Sequence, residues 1–138
     1  PVWEGQILLC RRAIEPRYGY WTLPAGFMEN AETTIEAAAR ETLEEALADV
    51  TIEGLYSIID VPHINQVHMF YRASLIDGQF GAGEESLESR LFSPGEIPWD
   101  EISFPTVRKT LELFLIDMET ERFGVHVSDI RHPMGKKA

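Results

Sequence analysis

Three glutamates within one helical turn constrain this chain more than any other feature. The stretch from Gly26 to Ala48 begins with turn-forming residues and continues Thr33-Thr34-Ile35-Glu36-Ala37-Ala38-Ala39-Arg40-Glu41, rich in strong helix formers. Thr33 followed three residues later by Glu36 is a capping box, which satisfies orphan N–H groups at a helix start. On that helix Glu41, Glu44 and Glu45 stand at i, i+3 and i+4, so their carboxylates converge on one side. Ile35, Ala38, Ala39, Leu43, Ala46 and Leu47 supply an apolar stripe for packing. Like charges so close repel, and a purely structural helix gains nothing from them; divalent cations with oxygen ligands would reverse the sign. The plainer alternative is a solvated acidic face.

Composition supports a chain built to handle cations rather than polyanions. A length of 138 residues with 44% hydrophobic content fits one domain with a single core. The formal net charge is −11, which argues against nucleic acid or an anionic membrane as partner. An anionic phosphate ligand would be repelled as well unless metal ions intervened. Cys10, the sole cysteine, excludes an internal disulfide and suits a reducing compartment, so a cytoplasmic location is expected. No apolar run approaches transmembrane length. The opening residues from Pro1 already read as strand, the expectation for a piece trimmed from a longer chain.

Along the chain, Pro1–Trp3 and Gln6–Arg11 read as strands turning at Glu4-Gly5, followed by a loop from Arg12 to Tyr20. Pro24 and Gly26 hold an irregular approach to the helix, crowded by Tyr18, Tyr20, Trp21 and Phe27, which either pack or stack on a nucleobase. Val50 to Ile59 and Gln66 to Leu75 read as strands separated by a loop over Asp60–Asn65. His68 alternates within its strand as a structural residue, and His63, on the loop, is the histidine expected to contact substrate. Gly81 to Ser86 reads as a flexible acidic loop, Leu87 to Phe92 as a strand, and Pro94 to Pro98 as a turn or short helix. Thr106 to Thr120 reads as a second helix burying Val107, Leu111, Phe114, Leu115 and Met118. A strand-like piece follows Phe123. One domain is expected over 1–130, with a basic tail over 131–138 that is mobile or partner-bound. Strands flanking one central helix, with a second helix late, imply an α/β/α sandwich around a mixed sheet.

Gly26, five residues, Glu32, seven residues, then Arg40-Glu41-x-x-Glu44-Glu45 resembles the signature of the Nudix hydrolases. Two positions depart from it: Leu47, where the family usually has Gly, and Ala48, where it has a bulkier aliphatic. A left-handed Leu costs on the order of 1 kcal/mol, so the helix is expected to continue to Leu47 or Ala48 and to turn near Asp49. The resemblance implies the same α/β/α fold. It extends to Cys10-Arg11-Arg12, to Gly19-x-Trp21-Thr22-Leu23-Pro24-Ala25-Gly26, to Glu85-Ser86-Leu87-Glu88-x-Arg90-Leu91-Phe92 and to Glu96-Ile97-Pro98. These look like the branch containing the plant chloroplast FAD and ADP-ribose pyrophosphatase and its bacterial relatives, which carry an N-terminal zinc ribbon not seen here. Pro62, fourteen residues past Ala48, is a weak further sign of an ADP-ribose-cleaving member. The proline- and tryptophan-rich string of the NADH-cleaving branch is missing.

The resemblance implies hydrolysis of a nucleoside diphosphate linked to another moiety: FAD to FMN and AMP, or ADP-ribose to AMP and ribose 5-phosphate. Mg²⁺, or Mn²⁺ in its place, would be held by Glu41, Glu44, Glu45 and the Ala25 carbonyl, with Glu88 as an added metal support. Glu85, Glu44 and Arg40 form the active set: Glu85 is the expected base for water, and Arg40 holds the carboxylates in register. Gly26 and Glu32 support the motif. Arg11 or Arg12 binds a phosphate or is solvated edge charge, and Trp21 and His63 are further candidate substrate contacts. Gly81 and Gly83 would let the Glu85 loop close over substrate. A homodimer is expected. Two other readings stay open: a house-cleaning nucleoside triphosphate pyrophosphohydrolase, and a non-catalytic ADP-ribose-binding sensor, against which the intact carboxylates speak.

Overall fold

A computed structural model describes residues 1–131. The order is β1 (Val2–Trp3), β2 (Gln6–Arg12), β3 (Trp21–Thr22), α1 (Thr34–Ala46), β4 (Val50–Val61), β5 (Gln66–Leu75), β6 (Ser86–Phe92), α2 (Pro105–Thr120) and β7 (His126–Asp129). All seven strands belong to one mixed sheet. β2 pairs antiparallel with β1, β3 and β6; β1 pairs parallel with β5, β5 antiparallel with β4, and β4 parallel with β7. The expected basic tail lies, after Arg131, outside the described residues.

The uninterrupted apolar run Ile7-Leu8-Leu9-Cys10 follows from β2 being covered on both faces. Ile7 and Leu9 point into one core with Trp21, Phe92, Ile97, Val107 and Leu111, beneath α2. Leu8 and Cys10 point the other way, into a second core with Ala46, Ala48 and Leu75, beneath α1. The α/β/α sandwich is therefore the arrangement observed, and Cys10 is a buried strand residue. β4 runs two residues further than expected, and the loop after it is a 3₁₀ turn, Pro62–Ile64, closed by Asn65 at φ 56°.

Helix α2 begins at Pro105, whose missing N–H would have been an orphan there anyway. Polar pairs fasten it to the sheet: Ser57 Oγ to Thr110 Oγ1 at 3.0 Å and His68 Nδ1 to Thr106 Oγ1 at 2.9 Å. Near its end the buried Tyr56 donates its hydroxyl to Asp117, which His126 Nε2 also meets at 2.8 Å. His68 is thus a structural histidine.

Helix α1 departs from expectation in two ways. Of the expected stripe it buries Ala46, joined against the sheet by Ala37 and Thr42, while Ile35, Leu43 and Leu47 stay 50%, 48% and 53% exposed. Small side chains let the helix settle close to the strands, and Thr42 returns its hydroxyl to the Ala38 carbonyl at 2.8 Å, which makes it tolerable inside. The second departure is the helix end. Leu47 itself is left-handed, at φ 49° and ψ 39°, so the helix does not run on to a turn near Asp49. Ala48 is wholly buried in the core with Leu8 and Leu75, and the chain must reverse before reaching it.

The Tyr56 hydroxyl, and after it His126, hold the Asp117 carboxyl below the usual carboxylate range. With the folded-state pKa below the unfolded one, this contribution is complete above the ordinary carboxylate pKa and vanishes as pH falls through the folded-state value. Tyr56→Phe is expected to cost about 1–3 kcal/mol at pH 7, with the difference from wild type shrinking in acid. Urea unfolding of both proteins across pH 2–8 checks this.

Candidate active site

The side chain that organises the acidic helix is a cation. Arg40 donates Nε to Glu32 Oε2 at 2.6 Å and Nη2 to Glu32 Oε1 at 3.1 Å, a two-point fork. Its Nη1 donates to Glu41 Oε2 at 3.1 Å and to Glu44 Oε1 at 3.2 Å, and Nη2 also reaches the Phe27 carbonyl. Glu32 in turn accepts the Glu29 amide at 2.8 Å and is held below its ordinary pKa, chiefly by Arg40. One guanidinium thus ties the turn before α1 to two carboxylates on it.

Glu41 lies so close over Gly26 that a Cβ there would stand 2.0 Å from Glu41 Oε2. Glycine at 26 leaves room for the carboxylate. Glu45 accepts the Ala25 amide at 3.1 Å. Even so its pKa is pushed up to about 8, first by burial and then by the neighbouring charges of Glu41 and Glu85. Of the three helix carboxylates, Glu45 is the one that Arg40 does not reach.

The Gly81–Ser86 segment is stitched to the end of α1 rather than swinging free as expected. Gly81 N donates to the Ala46 carbonyl at 2.7 Å, Gly83 N to the Glu45 carbonyl at 3.0 Å and Ser86 Oγ to the same carbonyl at 2.9 Å. These bonds satisfy carbonyls a helix end leaves orphaned. Neither glycine has positive φ; a Cβ on Gly83 would meet the Glu44 carbonyl oxygen at 1.7 Å. Close approach, not freedom, is what these glycines provide. The result is a cleft of about 550 Å³ lined by Glu41, Glu44, Glu45, Leu47, Ala82, Gly83, Glu84 and Glu85.

Glu85 and Arg12 also share a narrow recess with Glu45 and Ser86. Arg12 is braced there by the Pro16 carbonyl at 2.8 Å and by the Phe104 ring under its guanidinium. Four other candidates do not reach the cleft. Trp21 is buried under α2, edge-on to Phe92, and offers no face to a base. Glu88 pairs in register with Arg11, opposite to the Cys10–Ser89 pair that faces α1. It pairs with Arg11 and Arg90, so the structure brings neither Glu88 nor Arg11 to the cleft. His63 sits in the 3₁₀ turn at the end of β4 remote from the α1–β4 junction. Ser86, which sequence reading passed over, is the residue joining the Glu85 segment to the helix; a hydroxyl in so acidic a loop was the available signal.

Among the described residues no three His, Cys, Asp or Glu converge as a ready-made metal shell. The donors nevertheless suit a hard divalent cation. They are all oxygens, Glu45 lacks a compensating charge, and Glu44 is 57% exposed on a long side chain that can leave Arg40.

The family model of the NUDIX domain matches residues 2–114. The chain belongs to the Nudix family. A Nudix hydrolase from Nitrosomonas europaea has 49% sequence identity and a TM-score of 0.93, over 96% of this chain and 75% of that one. The ADP-ribose pyrophosphatase of Methanocaldococcus jannaschii is 31% identical over 69% of this chain and 59% of its own length. The 8-oxo-(d)GTP phosphatase of Mycolicibacterium smegmatis is 28% identical over 72% of this chain and 31% of its own length. This Nudix chain thus spans less than two thirds of either curated relative. Among its described residues no helix is long and apolar enough to cross a membrane.

The two glycine contacts separate site from scaffold. In Gly26→Ala the new methyl meets the flexible end of Glu41, so the Tm is expected to hold while Mn²⁺ affinity falls. In Gly83→Ala it meets backbone, and a loss of about 1–3 kcal/mol is expected. Thermal unfolding and Mn²⁺ titration of both variants check the contrast.

Proposed function

We propose that this chain is a Mg²⁺-dependent pyrophosphohydrolase that cleaves a nucleoside diphosphate linked to another moiety, FAD or ADP-ribose, and releases AMP. The observation that carries this reading is the single cleft onto which Glu41, Glu44, Glu45 and Glu85 all open. The likeness to an ADP-ribose pyrophosphatase supports the substrate class. The likeness of Cys10-Arg11-Arg12 and of the segment after Glu85 to the FAD and ADP-ribose branch supports it further.

Glu41, Glu44 and Glu45, with the Ala25 carbonyl, would hold the cation, Mg²⁺ or Mn²⁺. Bound there, it would withdraw charge from the pyrophosphate and acidify a water. Arg40 keeps Glu41 and Glu44 in register while Glu32 holds Arg40 in place. Glu85 takes the proton of the attacking water on its carboxylate, from a segment held against the helix by Ser86. Arg12, in the recess beside Glu85, meets a phosphate oxygen. One domain over 1–130, a homodimeric assembly and a cytoplasmic setting complete the reading, the last in keeping with the buried lone thiol of Cys10.

The similarity to an 8-oxo-(d)GTP phosphatase favours one second reading, a nucleoside triphosphate pyrophosphohydrolase on the same cleft. Turnover of FAD, ADP-ribose, NADH and nucleoside triphosphates with Mg²⁺, compared by kcat/KM, decides between them; highest values for triphosphates would overturn the first. Glu44→Gln and Glu45→Gln are expected to lose most activity in an intact fold, because relief of carboxylate repulsion offsets the weakened Arg40 contact at Glu44 and the lost anionic acceptor at Glu45. Glu85→Gln is expected to lower kcat roughly 10²–10⁴-fold with KM little changed. Near-full turnover in Glu44→Gln and Glu45→Gln would refute the metal assignment, and unchanged kcat in Glu85→Gln the base.

A further inference from the structure

The burial of Ala48 sets the backbone at position 47 but does not explain why a leucine stands there, and three properties of Leu47 bear on that choice. Its backbone is left-handed, at φ 49° and ψ 39°, a conformation that a residue with a Cβ adopts against steric resistance. Its side chain is large and apolar yet 53% exposed, so it adds little to the core. It also lines the cleft that holds Glu41, Glu44, Glu45 and Glu85. Its Cδ1 would stand 3.1 Å from a Cβ on Gly81, so the loop backbone fixes one side of the leucine while the other looks into the cleft. Glycine would relieve the backbone at the cost only of the contact with the Gly81 loop.

The cleft therefore has two chemically distinct parts. Carboxylates from α1 and Glu85 form a charged floor, and Leu47 with Ala82 forms an apolar edge one turn beyond Glu44. A ligand matching both has a pyrophosphate at one end and a weakly polar ring system close to it. We propose that Leu47 is a specificity-determining residue, whose side chain contacts the nucleobase or sugar of a nucleoside diphosphate derivative whose pyrophosphate lies over Glu41, Glu44 and Glu45. This rests on the pyrophosphohydrolase reading.

The test compares wild type, Leu47→Gly and Leu47→Met. Leu47→Gly is expected to raise the Tm and to raise KM for ADP-ribose roughly five- to thirtyfold, the range for losing one apolar contact. Its kcat and Mn²⁺ affinity should stay within about twofold of wild type, since uniform binding alone is lost. Leu47→Met, apolar and of similar volume, should restore KM. Equilibrium binding with Ca²⁺ in place of Mg²⁺ adds a readout free of turnover: Leu47→Gly should weaken ADP-ribose but not inorganic pyrophosphate. An unchanged KM and ADP-ribose Kd alongside a raised Tm would overturn the proposal. So would a joint fall of kcat, KM performance and Mn²⁺ affinity, which would make Leu47 a support for the carboxylates. If wild type cleaves none of the nucleotides, the hydrolase reading falls separately, and undiminished ADP-ribose binding by Leu47→Gly would then reject the role of Leu47.

Discussion

Everything at the cleft depends on one guanidinium shared among carboxylates. Glu41, Glu44 and Glu45 on a single turn would push a helix apart, and Arg40 offsets that repulsion from within the same turn. A lysine could not substitute, because the bidentate grip on Glu32 and the bridge to Glu41 and Glu44 need a planar, several-pronged donor. The compensation is uneven. Arg40 serves Glu41 and Glu44, while Glu45 is left with the Ala25 amide and a strongly raised pKa. The helix is thus built with a residual deficit of positive charge on the side that faces the cleft, and a divalent cation is the natural complement.

The second dependence is at the helix end. Carbonyls of Glu45 and Ala46, which a helix would otherwise expose, accept bonds from Gly81, Gly83 and Ser86. One set of contacts caps α1, seats the segment that carries Glu85 and defines a wall of the cleft. Helix capping and site assembly are therefore coupled here: the bonds that cap α1 also hold the segment carrying Glu85 beside Glu45. Loss of the site by local opening would also fray the helix.

The helix with its carboxylates was legible because it is encoded locally: the capping box at Thr33 and Glu36 and the i, i+3, i+4 spacing need no tertiary information. Glu85 beside the cleft was legible for a different reason, its acidic glycine-bearing surroundings. What failed was whatever depends on a face. Trp21 and Glu88 lie in strands that alternate sides, and only the pairing of β2 with β3 and β6 decides that both face α2. Periodicity likewise placed Ile35, Leu43 and Leu47 in the buried stripe beside Ala46, where the close approach that Ala37 and Thr42 permit leaves the large side chains outside. Leu47 shows the limit most plainly. Intrinsic preference says that leucine avoids the left-handed region, but the burial of Ala48 beside it outweighs a local cost of that size.

Cys10 lies in this same joint. Its thiol sits 3.7 Å from the Glu45 carbonyl and accepts from Ser89 Oγ at 3.4 Å, and burial pushes its pKa up to about 11. Burial so disfavours the thiolate that the folded protein resists alkylation at neutral pH at Cys10, its one thiol. The chain consequently carries an internal chemical clock: the rate at which Cys10 is trapped by an alkylating reagent measures how often β2 parts from the end of the acidic helix, with no label added.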